Sequence, residues 1–94
     1  MVTEVIEETE TSTDTGLVPM YKVLLHNDDK NSFQHVMMAV AQVFNYEFEK
    51  TYKIVMEAHE TGVALAKVEP LEHAEMHKEQ LQAFSLTATI EPAE

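Results

Sequence analysis

The run Tyr21-Lys22-Val23-Leu24-Leu25 passes without a break into His26-Asn27-Asp28-Asp29, and that junction constrains the fold more than any other feature of the chain. An apolar strand ends there in turn-favouring polar residues, and a helical pattern follows almost at once. The acceptors Asn27, Asp28 and Asp29 therefore stand at the corner between a strand and a helix. About one helix-turn-helix later comes Met56-Glu57-Ala58-His59-Glu60-Thr61-Gly62. A carbonyl, two carboxylates and an imidazole are strong acceptors. Brought together, they suit a compact cation with several N–H donors, such as a free α-amino group.

The rest of the pattern alternates between strand and helix periods. Residues 20–26 read as a first strand. Asn31 is placed to cap the next helix, with Gln34 at its third position, much like a capping box. Phe33, Val36, Met37, Val40, Ala41 and Phe44 recur at helical spacing. A second helix is expected from about Glu47 to Glu60, with Phe48, Tyr52, Val55, Met56 and His59 on or near one face. Gly62 is a natural stop for it. Val63 to Val68 read as a second strand, and Pro70 opens a third helix that runs to about Ala83. Leu86, Ala88 and Ile90 alternate with Thr87 and Thr89, giving a third strand. The expected fold is α+β: one small domain in the order β-α-α-β-α-β, a three-stranded antiparallel sheet packed against three helices. Residues 19–94 form its core. Residues 1–18, rich in Glu and Thr, are expected to be a flexible acidic extension, because they hold too little apolar surface to offset the entropy of ordering.

Charge and composition exclude several classes of function. The 94 residues carry 17 Asp and Glu against six Lys and no Arg, a formal net charge of −11, so phosphate backbones are repelled and no nucleic-acid partner is expected. No apolar run reaches the roughly 18 residues of a membrane helix, and no membrane association is expected. With no Cys, thiol chemistry and disulfides are absent. The N-terminal segment is acidic and resembles neither a secretory signal nor a transit peptide. A cytoplasmic location is expected, or a plastid stroma if a transit peptide has been removed.

Each candidate site has a plainer reading beside it. Asn and Asp favour turns and helix starts for their own hydrogen bonds, and Asp29 fits that role best, as a supporting residue. His59, on an apolar helix face, could be a core histidine, but near the helix end it can reach a pocket rim and accept a bond as neutral imidazole. His73 and His77 stand four apart, yet lack the His-Glu-x-x-His order and a third ligand, so a solvated helix face is the better reading. Met37, Met38, Met56 and Met76 fall inside helices and read as core filling, with Met56 also a candidate pocket wall. No activated Ser or Cys motif and no Gly-rich phosphate loop occurs, so no catalytic residue, metal or cofactor is expected. A metal held by Asp28, Asp29 and His59 is the one catalytic reading these residues leave open.

At these positions the sequence resembles the ClpS family, adaptors that deliver N-degron substrates to Clp ATP-dependent proteases. The segments that carry the resemblance are Tyr21-Lys22-Val23-Leu24-Leu25-His26-Asn27-Asp28-Asp29 and His59-Glu60-x-Gly62-x-Ala64, and it extends over about residues 19–91. The wording Asn31-Ser32-Phe33-Gln34-His35-Val36 is similar to cyanobacterial and plastid members. The resemblance implies a binding module without catalysis. Asn27, Asp28 and His59 would hold the substrate α-amino group. Asn31, Phe33, Val36, Val55, Met56, Ala58 and Leu86 would form the pocket for the first side chain. A ClpA- or ClpC-type AAA+ chaperone N-domain would be the partner, touched at Glu72 and His77, and the adaptor would act as a monomer. Members often read Asn-Asp-Asp-aromatic-Thr-Pro-Met-Glu-Phe-Val; here Lys30, Asn31, Phe33 and His35 stand at the aromatic, Thr, Met and Phe positions. The alternative is a small α/β interaction domain of ribosomal-stalk type, which has no peptide pocket.

Overall fold

The computed structural model describes residues 18–94; the extension expected over residues 1–18 falls, save for Val18, outside them. Three strands and three helices follow in the order β1 (Met20–His26), α1 (Phe33–Phe44), α2 (Phe48–Thr61), β2 (Val63–Pro70), α3 (Leu71–Ala83) and β3 (Thr87–Pro92). Strand β1 is central and pairs antiparallel with β2 on one side and β3 on the other. The alternation of the sequence places Val23 and Leu25 of β1, Ala64 and Ala66 of β2 and Ala88 of β3 on the buried face. Against these mostly small residues pack Ala39, Val40 and Phe44 of α1, Ile54, Val55 and Ala58 of α2, and Ala74 and Leu81 of α3. Burying this apolar surface is the main favourable term in the fold.

The helix ends follow capping chemistry, with one correction. Ser32, not Asn31, caps α1: its hydroxyl accepts from the His35 N–H at 3.1 Å. Asn31 is left free to point its amide elsewhere. Glu47 caps α2 by accepting from the Lys50 N–H at 2.7 Å. Gly62 ends α2 at φ 97°, where an L side chain would be strained, and its N–H bonds the Ala58 carbonyl at 2.9 Å. Pro70 closes β2 rather than beginning α3, and α3 starts at Leu71. Met38 and Met76, read from the pattern as core filling, are exposed.

A bulge in β2 changes which residues the core receives. Val23 faces Lys67 and Leu24 faces Leu65, so Ala66 is an extra residue opposite β1. The Tyr46 hydroxyl donates to the Ala66 carbonyl at 2.8 Å. Beyond the bulge the alternation slips by one, which turns Val68 outward and buries Glu69. A buried carboxylate needs a partner. His77 of α3 supplies it, its Nδ1–H donating to Glu69 Oε2 at 2.6 Å, with Lys67 Nζ at 3.8 Å from Oε1. His77 is thus not on a solvated face: its side chain is 13% exposed. Its ring packs 4.7 Å from that of Phe44, which stacks on Tyr46. Burial, together with the Glu69 carboxylate, pushes the Tyr46 phenol pKa up.

This pairing makes a prediction. His77→Ala leaves the Glu69 carboxylate buried without its nearest donor and is expected to cost about 2–4 kcal/mol in denaturant unfolding. Replacing both residues, Glu69→Leu with His77→Leu, should restore most of that loss, because no buried charge remains. A double variant as unstable as His77→Ala would show that the cost lies elsewhere.

Candidate functional site

The corner after β1 is fixed by backbone bonds before any side chain acts. Past the last ladder pair, His26 with Val63, the Asn27 N–H donates to the Gly62 carbonyl at 3.0 Å. That bond joins the end of β1 to the C-terminal stop of α2. Because His59 sits three residues before Gly62, it is carried to the side of Asn27 and Asp28.

Asp28 is the best-anchored member. Its Oδ1 accepts from the Lys30 N–H at 3.0 Å and from Asn31 Nδ2 at 3.2 Å, and its Oδ2 accepts from the Thr87 hydroxyl at 3.2 Å. Asn31 Nδ2 also donates to the Ser85 carbonyl at 2.9 Å, which ties the corner to the turn before β3. Ser85 there holds a left-handed backbone, φ 71°. Burial raises the Asp28 pKa, but the hydrogen bonds from Lys30, Thr87 and Asn31 outweigh it, and the carboxyl is held below its ordinary 3.8. Asp28 is thereby a fixed anion at neutral pH. Asn27, Asp29 and His59 are exposed beside it.

A cavity of about 440 Å³ opens at this corner, within the range of small-ligand sites. Asn27, Asp28, Asp29 and His59 line its polar part. Asn31, Phe33, Val36, Val55, Met56 and Leu86 line the rest. The lining is therefore mixed: strong acceptors and apolar walls share one cavity. Such a lining takes a cationic head joined to an apolar group. Ala58 does not line the cavity; it is buried in the core on the inner face of α2. Glu72 is exposed in the first turn of α3.

Some contributors lie outside the expected set. Leu25 and His26 also line the cavity, and the signal for Leu25 was available: it alternates with Val23 on the buried face. His26 is oriented by Thr89, whose hydroxyl lies 2.7 Å from Nε2. Thr87 and Ser85 stand more than fifty residues from their partners, and no local pattern marks them. His35, at a position where the family pattern has Phe, donates Nε2–H to the Phe84 carbonyl at 2.7 Å and holds α1 to the end of α3.

The hydrogen bonds to Asp28 are testable by titration. Because its folded pKa is depressed, the stability it contributes is present above the ordinary carboxyl value and fades as pH falls through the folded one. Followed by NMR, the wild-type Asp28 carboxyl should titrate below 3.8. Thr87→Val and Asn31→Ala should each move it upward. An unmoved midpoint in both variants would mean that these bonds do not set it.

Comparison with known proteins places this geometry among relatives. The family described as "ATP-dependent Clp protease adaptor protein ClpS" matches residues 17–89. The ClpS adapter protein of Synechococcus elongatus is 40% identical over 93 residues, covering 98% of both chains. The chloroplastic adapter CLPS1 of Chlamydomonas reinhardtii is 43% identical over 75 residues, covering 79% of this chain and 46% of its own. Among solved structures, Agrobacterium tumefaciens ClpS2 bound to L-phenylalaninamide is similar with a TM-score of 0.73 and 31% identity, covering 79% of this chain and 96% of that one.

Proposed function

The chain belongs to the ClpS family of ATP-dependent Clp protease adaptors, and from that premise we propose that it is a receptor, without catalysis of its own, for proteins whose first residue is bulky and apolar. The observation that carries this reading is the cavity that Asn27, Asp28 and His59 share with the apolar side chains of Phe33, Val36, Val55, Met56 and Leu86. The ligand of the Agrobacterium relative has the matching chemistry: L-phenylalaninamide presents a free α-amino group, an aromatic side chain and an amide in place of a following residue. In this chain, the α-ammonium would donate to Asn27 Oδ1, the Asp28 carboxylate and the His59 imidazole. Charge-assisted bonds of this kind are worth about 1.5–3 kcal/mol each. The first side chain would lie against Phe33, Val36, Val55, Met56 and Leu86, and burying it adds about 1.5–3 kcal/mol.

Delivery needs a second surface. We assign it to the start of α3, where Glu72 is exposed, facing the N-domain of a ClpA- or ClpC-type chaperone. His77 contributes less, being committed to Glu69. The adaptor would act as a monomer in the cytoplasm, or in a plastid stroma.

Two measurements test the receptor. N-acetylation of a Leu- or Phe-starting peptide removes both charge and donors, and should weaken binding by about tenfold or more. Equal affinity for free and acetylated peptides would refute the amino-group site. Phe33 is bulkier and stiffer than the Met common at this position, so the wild type should reject β-branched Ile and Val. Phe33→Met should broaden the range of first residues bound. An unchanged ranking of first residues in that variant would remove Phe33 as a gate.

A further inference from the structure

An aromatic ledge leads out of the cavity along the exposed flank of α2. The buried face of α2 is Thr51, Ile54, Val55 and Ala58. Phe48, Tyr52, Met56 and His59 form a separate stripe at its flank, spaced so that they stack along the helix. Met56 and His59 line the cavity, whereas Phe48 and Tyr52 are 69% and 43% exposed. The ledge is continuous with the cavity wall. Phe33 meets Tyr52 edge-on with ring centroids 5.9 Å apart, and Tyr52 stacks on Phe48 at 5.8 Å. From Met56 to Phe48 the helix rises about 12 Å, the reach of three to four residues of extended chain.

We propose that Tyr52 and Phe48 form a second subsite that takes an apolar side chain at the second to fourth position of the bound peptide. The occupant follows from position. A chain whose amino end is held at Asn27, Asp28 and His59, and whose first side chain lies against Phe33 and Met56, must leave through the open side of the cavity. The ledge begins at Phe33 and Met56. Its exposed rings, Tyr52 and Phe48, are aromatic and carry no charge, which favours aliphatic or aromatic side chains without demanding one shape. Specificity would then rest on a short apolar pattern as well as on the first residue. This rests on the N-terminal receptor reading above.

The test uses the full-length chain and fluorescent peptides that all begin with Leu. One set carries Phe, Tyr or Leu once among positions two to four; the other carries Ser throughout. The wild type should bind the apolar set about tenfold more tightly, equivalent to ~1.4 kcal/mol. The double variant Phe48→Ser, Tyr52→Ser should lose that preference while keeping its affinity for the Ser set, and Tyr52→Phe should retain it. Because both side chains lie at the surface, a thermal melt beside each titration verifies folding. A matched peptide beginning with Gly separates the two claims: if Leu and Gly peptides bind alike, the receptor reading fails. If Leu peptides bind but the two sets are equal in the wild type, the ledge proposal fails alone. It also fails if peptide preference is absent and deleting residues 1–17 shifts the NMR signals of Phe48 and Tyr52, which assigns the ledge to the chain's own N-terminal segment. Concentration-dependent self-association abolished by the double variant, again without peptide preference, would assign it to a second copy.

Discussion

The hydrogen bond from the Asn27 N–H to the Gly62 carbonyl is the contact on which the site depends. It continues the β1–β2 pairing one step past the ladder and so couples two chain segments over thirty residues apart. Its acceptor residue is also the stop of α2, at a backbone angle that suits glycine. The position of His59 relative to Asn27 is therefore set by backbone geometry rather than by side-chain packing. Central placement of β1 between two antiparallel partners stiffens the other half of the corner. Asp28 then draws in the turn before β3 through Thr87 and, by way of Asn31, Ser85. The site is thus held by all three strands and by both neighbouring helices.

The same sheet accommodates a polar group at its opposite end. One extra residue, Ala66, inverts the alternation of β2 and directs Glu69 inward. The molecule satisfies that carboxylate with His77 rather than expelling it, and the pair joins β2 to α3. A buried hydrogen-bonded polar pair adds little net stability compared with apolar packing, though losing one partner is costly. Its effect is to fix the placement of α3, whose first turn presents Glu72.

Exposure of Phe48 and Tyr52 has a local cause. The helix can turn only one face to the sheet, and the smaller residues Thr51 and Ala58 occupy it. That choice lets α2 lie close to the alanine-rich sheet. It also leaves the aromatic residues at the flank, where they extend the cavity wall.

Most of the architecture was legible in the sequence because it rests on periodicity. Alternation in Tyr21 to Leu25, helical spacing from Phe33 to Phe44 and the stop at Gly62 each identify their element locally. The acceptors at the strand end and at the helix end are each legible locally, whereas their convergence is implied only by the family resemblance. Capping was harder: Asn31 and Ser32 are both competent caps, and only the pull of Asp28 and Ser85 on the Asn31 amide decides between them. The shared stripe of Phe48, Tyr52, Met56 and His59 on α2 is legible from spacing, but not that Val55 turns inward from it while Phe48 and Tyr52 stay exposed. Ala58, which the resemblance puts in the pocket, faces the core. The burial of Glu69 and His77 was invisible, since a bulge depends on pairing with another strand and leaves no local pattern. The sequence by itself therefore determined the elements, their order and the chemistry gathered at the corner. Only the tertiary structure decided which residue caps, which helix face turns inward and which polar groups are buried, because each of those is settled by a partner distant in the chain.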